Sequence, residues 1–463
     1  MKIDVLVAEI GSTTTVMNAF EGVKGEFPRF VGQGQAPTSV KQGDVNIGIK
    51  EAIDSLKDKL NVDSLEYDEL FATSSAAGGL RMTVHGLVYD MTVRAAKEAA
   101  LGAGANIHQI TAGKLRRTDL KKLKEIHPNI ILIAGGVDFG ERDTAIYNAE
   151  QIASLDLDVP IIYAGNVENQ EEMRLIFEDT KSKLYIVDNV YPKIDMLNVE
   201  PTRRVIQEVF EEHITHAPGM QKVKEVVNGK IIPTPGAVMT SCILLKERLG
   251  DLLAIDVGGA TTDVHSVTEG SEKISRILIS PEPINKRTVE GDMGMFVSLP
   301  NVFERFDKEK LSKKMDVSQD DLEKLFIEMN PIPKTDLEKK FIEQMCEEAV
   351  VTSIRRHAGH FRDLFGSKGK TTIAEGKDLT MVKYIIGTGG ALTRLPNRIE
   401  IMESIAKSNK GNELFPSDSA EILVDNDYIM ASLGVMSLKY EDSAYKLLLK
   451  SLKLKDNLAE IAQ

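Results

Sequence analysis

Three glycine-containing turns, far apart along the chain, each follow an apolar strand-like run: VAEIGSTTT at 7–15, AIDVGGATTD at 254–263 and YIIGTGGAL at 384–392. In the first two, a carboxylate (Glu9, Asp256) stands near the end of the run. Gly11, or Gly258 with Gly259, then lets the backbone turn tightly, and hydroxyl residues follow: Ser12, Thr13 and Thr14 in one, Thr261 and Thr262 in the other. A polyphosphate needs that combination: bare N–H groups that come close, hydroxyl donors, and a carboxylate to hold Mg²⁺ directly or through water. The third turn has Gly387, Gly389 and Gly390 and no carboxylate, which suits a flat group such as an adenosine lying on the backbone. Any one such turn is an ordinary strand end of an α/β protein. Three in this order form a signature.

That ordered set resembles the two-lobed ATPase superfamily of actin, sugar kinases and heat-shock chaperones, in which two hairpins hold phosphates and a later turn holds adenosine. DVGGATTD (256–263) is similar to the second hairpin, with Asp256, Gly258, Gly259, Thr261 and Asp263 fitting. EIGSTTT (9–15) is similar to the first, with Glu9 where Asp is usual. PTPGAVMTS (233–241) and YIMASLGVMSL (428–438) stand where the superfamily has helices crossing between lobes, Gly434 allowing close packing. Most of the chain resembles one branch, the MutL or glutamate mutase-associated family. The resembling segments are EIGSTTT, SSAAGGLRM (74–82), KEAALGAGA (97–105), ILIAGGVDFG (131–140), AIDVGGATTDVHSV (254–267), TVEGDMGM (288–295), RRHAG (355–359) and GTGGAL (387–392). The mismatch-repair protein of the same short name is unrelated. The resemblance implies an ATP-linked chaperone or reactivating factor whose partner is an adenosylcobalamin-dependent mutase such as methylaspartate (glutamate) mutase. It also implies ATP/ADP and Mg²⁺ as cofactors, with Glu9 and Asp256 at the metal and in catalysis.

The elements that must position these turns read as alternating strands and helices, an α/β class. The first strand covers 3–10, an extended stretch 16–23, and Val45, Ile49, Ala52, Ile53, Leu56 and Leu60 fall at helical spacing. From 80 to 195 nearly all-apolar strands (82–88, 106–111, 129–135, 160–165, 184–190) alternate with helices, as in a doubly wound parallel sheet buried on both faces. LLAIDVG (252–258) restarts a β-rich pattern through DVHSVTEG and SRILIS. Residues 300–364 are charged and helical, with a helix start at Ser318 and one long helix over 334–365. Two helical stretches, 427–440 and 443–454, end the chain.

The expected architecture is therefore a two-lobed actin-like, ribonuclease-H-like ATPase with an inserted α/β domain and a helical insert. Its segments are first-lobe core 1–79, inserted domain 80–195, return and crossing helix 196–250, second-lobe core 251–299, helical insert 300–380, adenosine-binding part 381–426 and C-terminal crossing helices 427–463. ATP·Mg²⁺ is expected between the hairpins. A small-molecule kinase on the same fold and a non-catalytic nucleotide-gated scaffold remain alternatives.

Composition narrows the classes further. With 57 Lys+Arg against 70 Asp+Glu, the net charge of −13 offers no basic face for nucleic acid. The start MKIDVLVAEIG is interrupted by Asp4 and Glu9, and the run IILIAGGV is too short to span a bilayer, so a cytoplasmic protein without a membrane partner is expected. Cys242 and Cys346 make no disulfide framework and read as core residues. FGSKGKT (365–371) has Leu364 where a phosphate loop needs glycine and reads as a solvated loop. NIHQITAG (106–113) has Asn106 and Thr111 at the positions where a cobalt-ligating D-x-H-x-x-G signature has Asp and Gly, so His108 reads as an ordinary strand-end histidine. His357 and His360 share a helix face at their spacing, and Arg355 and Arg356 are expected to pair with nearby acids or border the nucleoside. GGVDFGERD (135–143) reads as a strand-end turn. Self-association is left open.

Overall fold

The run KIDVLVAEI is buried along nearly its whole length, the pattern of a strand with neighbours on both sides and cover on both faces. The computed structural model, which describes residues 1–75, 79–216, 219–366 and 369–455, makes it β1 (Lys2–Ile10). β2 (Thr14–Glu21), β3 (Arg29–Pro37) and β4 (Glu66–Ser74) follow, with helix Val45–Leu60 between β3 and β4. That helix starts at Asp44, whose side chain accepts from the Asn46 N–H, and ends at Asn61 in the left-handed region. The chain then enters β5 (Leu80–Gly86), β6 (Ala105–Ala112), β7 (Ile130–Ile133), β8 (Ile161–Tyr163) and β9 (Leu184–Ile186), and returns as β10 (Ile231–Pro233). Past helix Thr234–Leu249 come β11 (Leu252–Val257), β12 (Thr262–Val267), β13 (Asn285–Glu290), the hairpin β14 (His360–Gly366) and β15 (Gly369–Glu375), then β16 (Tyr384–Thr388) and β17 (Glu421–Val424).

The chain divides into two compact units, residues 1–241 with 431–444, and residues 242–430 with 445–463. Each contains a mixed five-stranded sheet: β10-β4-β1-β2-β3 in the first, β13-β12-β11-β16-β17 in the second. Numbered within its own sheet, each reads 3-2-1-4-5. The first three strands run antiparallel and the last two parallel to the first. This repeated topology is the actin-like, ribonuclease-H-like arrangement, and the mixed α/β class is as expected.

The first unit also holds a parallel sheet, β6-β5-β7-β8-β9. Its side chains alternate between two cores. Met82, Val84, Ile130, Leu132 and Ile162 face helices Arg94–Gly102 and Val199–His213 and join the core of the unit's main sheet. Ile131, Ile133, Ile161 and Tyr163 face helices Arg117–Ile126, Asp143–Ala153 and Gln170–Phe177. The second unit buries Leu253, Ile255 and Val264 against a helical layer that includes Asp336–His357.

Several local expectations are corrected. The helix over 334–365 stops at His357, because Ala358 turns to an extended conformation and the chain enters β14. His357 and His360 therefore share no helix face: His357 is buried at the helix end and His360 lies in a strand. The 365–371 loop is strand at both ends, within β14 and β15, and its residues 367–368 lie outside the described residues. SRILIS forms no strand, only a single bridge from Leu278 to Ala374. β13, which sequence periodicity passes over, lies in NKRTVE instead. The helix start at Ser318 is present, its side chain accepting from the Asp321 N–H. Among the described residues no helix is long and apolar enough to cross a membrane.

Candidate functional site

In the second unit, β11 and β12 pair so that Asp256 stands opposite Asp263, and Val257 opposite Thr262. The four residues between, Gly258 to Thr261, close on one bond, Gly258 N–H to Thr261 O at 2.9 Å. The carbonyls of this turn are occupied from below by the 291–298 segment. Met295 N–H donates to Gly258 O at 3.0 Å, and Phe296 and Val297 N–H donate to Gly259 O at 2.8 and 2.7 Å. Ser298 Oγ donates to Ala260 O at 2.7 Å and to Gly291 O at 2.8 Å. With the carbonyls tied back, the Gly259 and Ala260 N–H groups find no hydrogen-bond partner among the described residues, and Gly259 is exposed. Unpaired amides on a turn whose oxygens face away form an anion nest.

The third turn meets the second here. β16 runs parallel to β11 and brings Thr388 beside Asp256. Gly389 has φ +82°, and a Cβ there would lie 2.4 Å from Asp256 Oδ1, so only glycine permits this approach. Gly390 next to it is exposed, and a Cβ on it would meet no protein atom within 4 Å. Gly387 is buried against Met402.

The charge beneath the turn is unbalanced. Arg287, fully buried on β13, donates from Nε to Asp263 Oδ1 at 2.8 Å, and Thr261 Oγ1 donates to Asp263 Oδ2 at 3.0 Å. Asp425, buried past β17, accepts from the Ile429 and Met430 N–H groups, Thr388 Oγ1 and Ser451 Oγ. Its burial still moves its pKa upward. Asp256 has neither partner set. Burial, then the carboxylates of Asp263 and Asp425, push it up to about 7, against the pull of Arg287. Three carboxylates around one guanidinium leave room for a cation beside Asp256.

The first unit's hairpin is built in the same register. Gly11 N–H donates to Thr14 O at 3.0 Å, and Glu9 stands beside Thr73 of the parallel neighbour β4, as Asp256 stands beside Thr388. Thr38 plays the bracing part: its N–H donates to Thr13 O at 3.0 Å and its Oγ1 to Gly11 O at 2.9 Å. Ser12 and Thr13 are exposed. Glu9 differs from Asp256 in being engaged. Its buried Oε1 accepts from Ser432 Oγ at 2.6 Å and Asn18 Nδ2 at 3.3 Å, and Gln33 in turn donates to Asn18 at 2.9 Å.

The structure thus brings Asp256, Gly258, Gly259, Thr261, Thr262, Gly387, Gly389 and Gly390 together in the second unit. It sets Glu9, Gly11, Ser12, Thr13 and Thr14 on the matching hairpin of the first. Thr262 is turned inward, its Oγ1 donating to Met293 O at 2.5 Å. Sequence reading misses Arg287, Ser298, Asp425 and Thr38, all of which support a turn rather than form one. TVEGDMGM has no role legible in the sequence, and it leads into the segment that braces the second hairpin. Gly434 packs as expected, a Cβ there falling 1.8 Å from Ala237 O.

Other candidates resolve plainly. Arg356 pairs with Glu290 and Asp292, both at 2.6 Å, and Arg355 approaches Glu413 at 3.7 Å. His357 bonds Ser266 and Thr288 through its two ring nitrogens, and burial holds its pKa well below the usual histidine range. His108 is exposed on β6. Both cysteines are free and buried, with their thiols pushed up by desolvation. Among the described residues no three or more His, Cys, Asp or Glu side chains gather as a ready metal cage.

Comparison with known proteins bears on the whole chain. The family described as MutL protein matches residues 5–452. Protein MutL of Clostridium tetanomorphum is 34% identical over 459 residues, covering 96% of this chain and 98% of that protein. Among solved structures, nucleotide-free acetone carboxylase is 12% identical, covering 94% of this chain and 70% of that one, at a TM-score of 0.42. Diol dehydratase-reactivating factor in nucleotide-free form is 8% identical, covering 95% of this chain and 100% of that one, at 0.37. Likenesses this distant say nothing of activity.

Proposed function

The chain belongs to the MutL protein family, and from that premise we propose that it is an ATPase-fold accessory protein that binds Mg·ATP and Mg·ADP. Its client is an adenosylcobalamin-dependent carbon-skeleton mutase such as methylaspartate (glutamate) mutase, which it serves as a chaperone or reactivating factor.

The observation that carries the nucleotide reading is the Gly258–Thr261 turn, with its carbonyls bonded to 295–298 and its Gly259 and Ala260 amides unpaired. Those amides would hold phosphate oxygens. Asp256 would face Mg²⁺, directly or through water, where its charge is least compensated. The open backbone at Gly390 would receive the nucleoside. Mg²⁺, when bound, supplies the charge that phosphoryl transfer to water requires. The chain's own part is to position the phosphates and to hold Asp256 where a bound cation would favour its ionised form. Ser12, Thr13 and Thr14 would take the corresponding place on the first unit's hairpin. The engagement of Glu9 by Ser432 and Asn18 favours a second reading, a nucleotide-gated scaffold in which Glu9 links its hairpin to the helix Met430–Ser437 and does no chemistry.

The test is a titration of the mutase with the protein in ADP, in a non-hydrolysable ATP analogue and without nucleotide. Affinities differing by about fivefold or more are expected, with the mutase changing nucleotide affinity by the same factor. Equal affinity in all three states removes the gating. Binding to no cobalamin-dependent mutase of the same organism removes the client.

A further inference from the structure

Among the described residues of 80–198, seven large hydrophobic side chains are exposed, and six of them lie in segments that follow the carboxyl ends of β5, β7, β8 and β9. They are Val88 and Tyr89, Phe139, Val167, and Ile194 and Met196, with Phe139 78% and Ile194 70% exposed. The turns at the opposite edge of this sheet, 103–104, 127–129, 154–160 and 178–183, contribute none. Of that amino edge the 103–104 turn packs on Pro233 and Gly236, while the other turns are exposed through polar residues such as Asp156, Asp158, Glu178 and Lys181. Both edges reach solvent, and the large apolar side chains gather on the carboxyl edge alone, as at an interaction surface.

The edge is built as one surface. Val167 N–H and Asn189 Nδ2 both donate to Asp138 Oδ1 at 3.0 Å, and Asp138 N–H donates to Pro192 O at 3.0 Å, joining three of the four segments. The fourth, past β5, neighbours β7 in the sheet. Phe139 is held outward at φ +62°, a conformation a bulky residue adopts only under constraint, with its N–H bonded to Asn166 Oδ1 at 3.1 Å. The same segments (87–90, 136–143, 165–168 and 187–198) carry seven carboxylates and two cations, Arg142 and Lys193. Arg142 is already paired with Glu168.

We propose that this carboxyl edge of the inserted sheet is the docking surface for the client enzyme, through an apolar contact on the client ringed by lysine and arginine. This rests on the client reading above and names the surface that serves it. The parallel sheet holds the loops rigid, the apolar side chains supply the buried contact, and the acidic surround selects and steers a basic-rimmed partner.

The experiment uses the full chain and the mutase as probe. The variant Phe139→Asn with Ile194→Ser removes two apolar anchors, and asparagine tolerates the left-handed backbone at 139. It should weaken mutase binding tenfold or more while leaving ADP affinity unchanged. A second variant, Asp90→Lys with Asp188→Lys, should weaken binding at low salt and much less at high salt. Mutase binding by the first variant at wild-type affinity overturns the surface alone and leaves the client reading intact. Wild-type protein that binds no mutase overturns both. A wild-type dimer in sedimentation that the first variant makes monomeric also overturns the proposal, because a second copy of this chain would then be the occupant.

Discussion

Asp256→Asn should make the free protein more stable and a worse nucleotide binder. In the folded chain the Asp256 carboxyl is pushed up to about 7 from an ordinary 3.8, first by burial and then by Asp263 and Asp425. Raising a pKa by one costs the ionised form about 1.4 kcal/mol, so holding the carboxylate ionised costs the native state about 4 kcal/mol above pH 7. The sign follows from linkage. Below pH 4 the group is protonated folded and unfolded, and nothing is lost. Between 4 and 7 only the unfolded chain is ionised, so native stability falls as pH rises, and above 7 the loss is complete. Asparagine cannot ionise, so its advantage should grow from near zero at pH 4 to a few kcal/mol at pH 8, read as a rise in the denaturation midpoint. Adding Mg·ADP should reverse the order, since a ligand stabilises by RT ln(1 + [L]/Kd) and the variant has lost the carboxylate proposed to face the cation. The measurement is denaturant unfolding of both proteins at pH 4.5 and 8, with and without Mg·ADP. A variant less stable than wild type at pH 8 without ligand, or one with undiminished Mg²⁺-dependent binding, would refute the reasoning.

Gly390→Val places its Cβ where no atom of the described residues lies within 4 Å, so the fold should stand while adenine nucleotide affinity drops at least tenfold by calorimetry. Unchanged affinity in the folded variant would remove the nucleoside from this turn. Arg287→Met strands the buried Asp263 carboxylate, and breaking such a pair costs about 3–5 kcal/mol, visible as a lower denaturation midpoint at pH 8. A loss under about 1 kcal/mol would mean Asp263 has other compensation.

What the sequence shows of this site follows a physical division. Residues that form the turns are legible because carboxylate, glycine and hydroxyl types recur in order at widely separated strand ends, and Asp256, Gly258, Gly259, Thr261, Gly389 and Gly390 all stand out that way. Residues that brace the turns are ordinary in type. Ser298 and Thr38 act through bonds to carbonyls, and nothing in their neighbours along the chain marks them. Arg287 lies in NKRTVE, a strand whose half-polar composition hides its burial at the sheet edge beside β12. β3 is hidden because its Gly32 and Gly34 weaken the strand pattern. Those glycines admit helix Val45–Leu60, and a Cβ on Gly34 would lie 2.1 Å from Ala52 O. The long helix over 334–365 is overdrawn in the sequence because helical spacing continues through His360, while the break depends on the partner strand β15, which only tertiary structure supplies.

The bond between Glu9 and Ser432 joins residues 423 apart. Ribosomes add about 5–20 residues per second, so Glu9 exists for roughly 20–85 s before its hydroxyl partner has been made. Throughout that time the first unit lacks its 431–444 piece, and Gly434 has not yet packed against Ala237. No single cut in the gene yields either unit whole, because the segments of the two alternate along the chain. The nascent chain must therefore hold an almost complete amino-terminal unit open, with a carboxylate short of a donor and a helix seat unfilled, until residues 431–444 have been made. Truncated transcripts should accordingly give aggregation-prone protein rather than a smaller working unit.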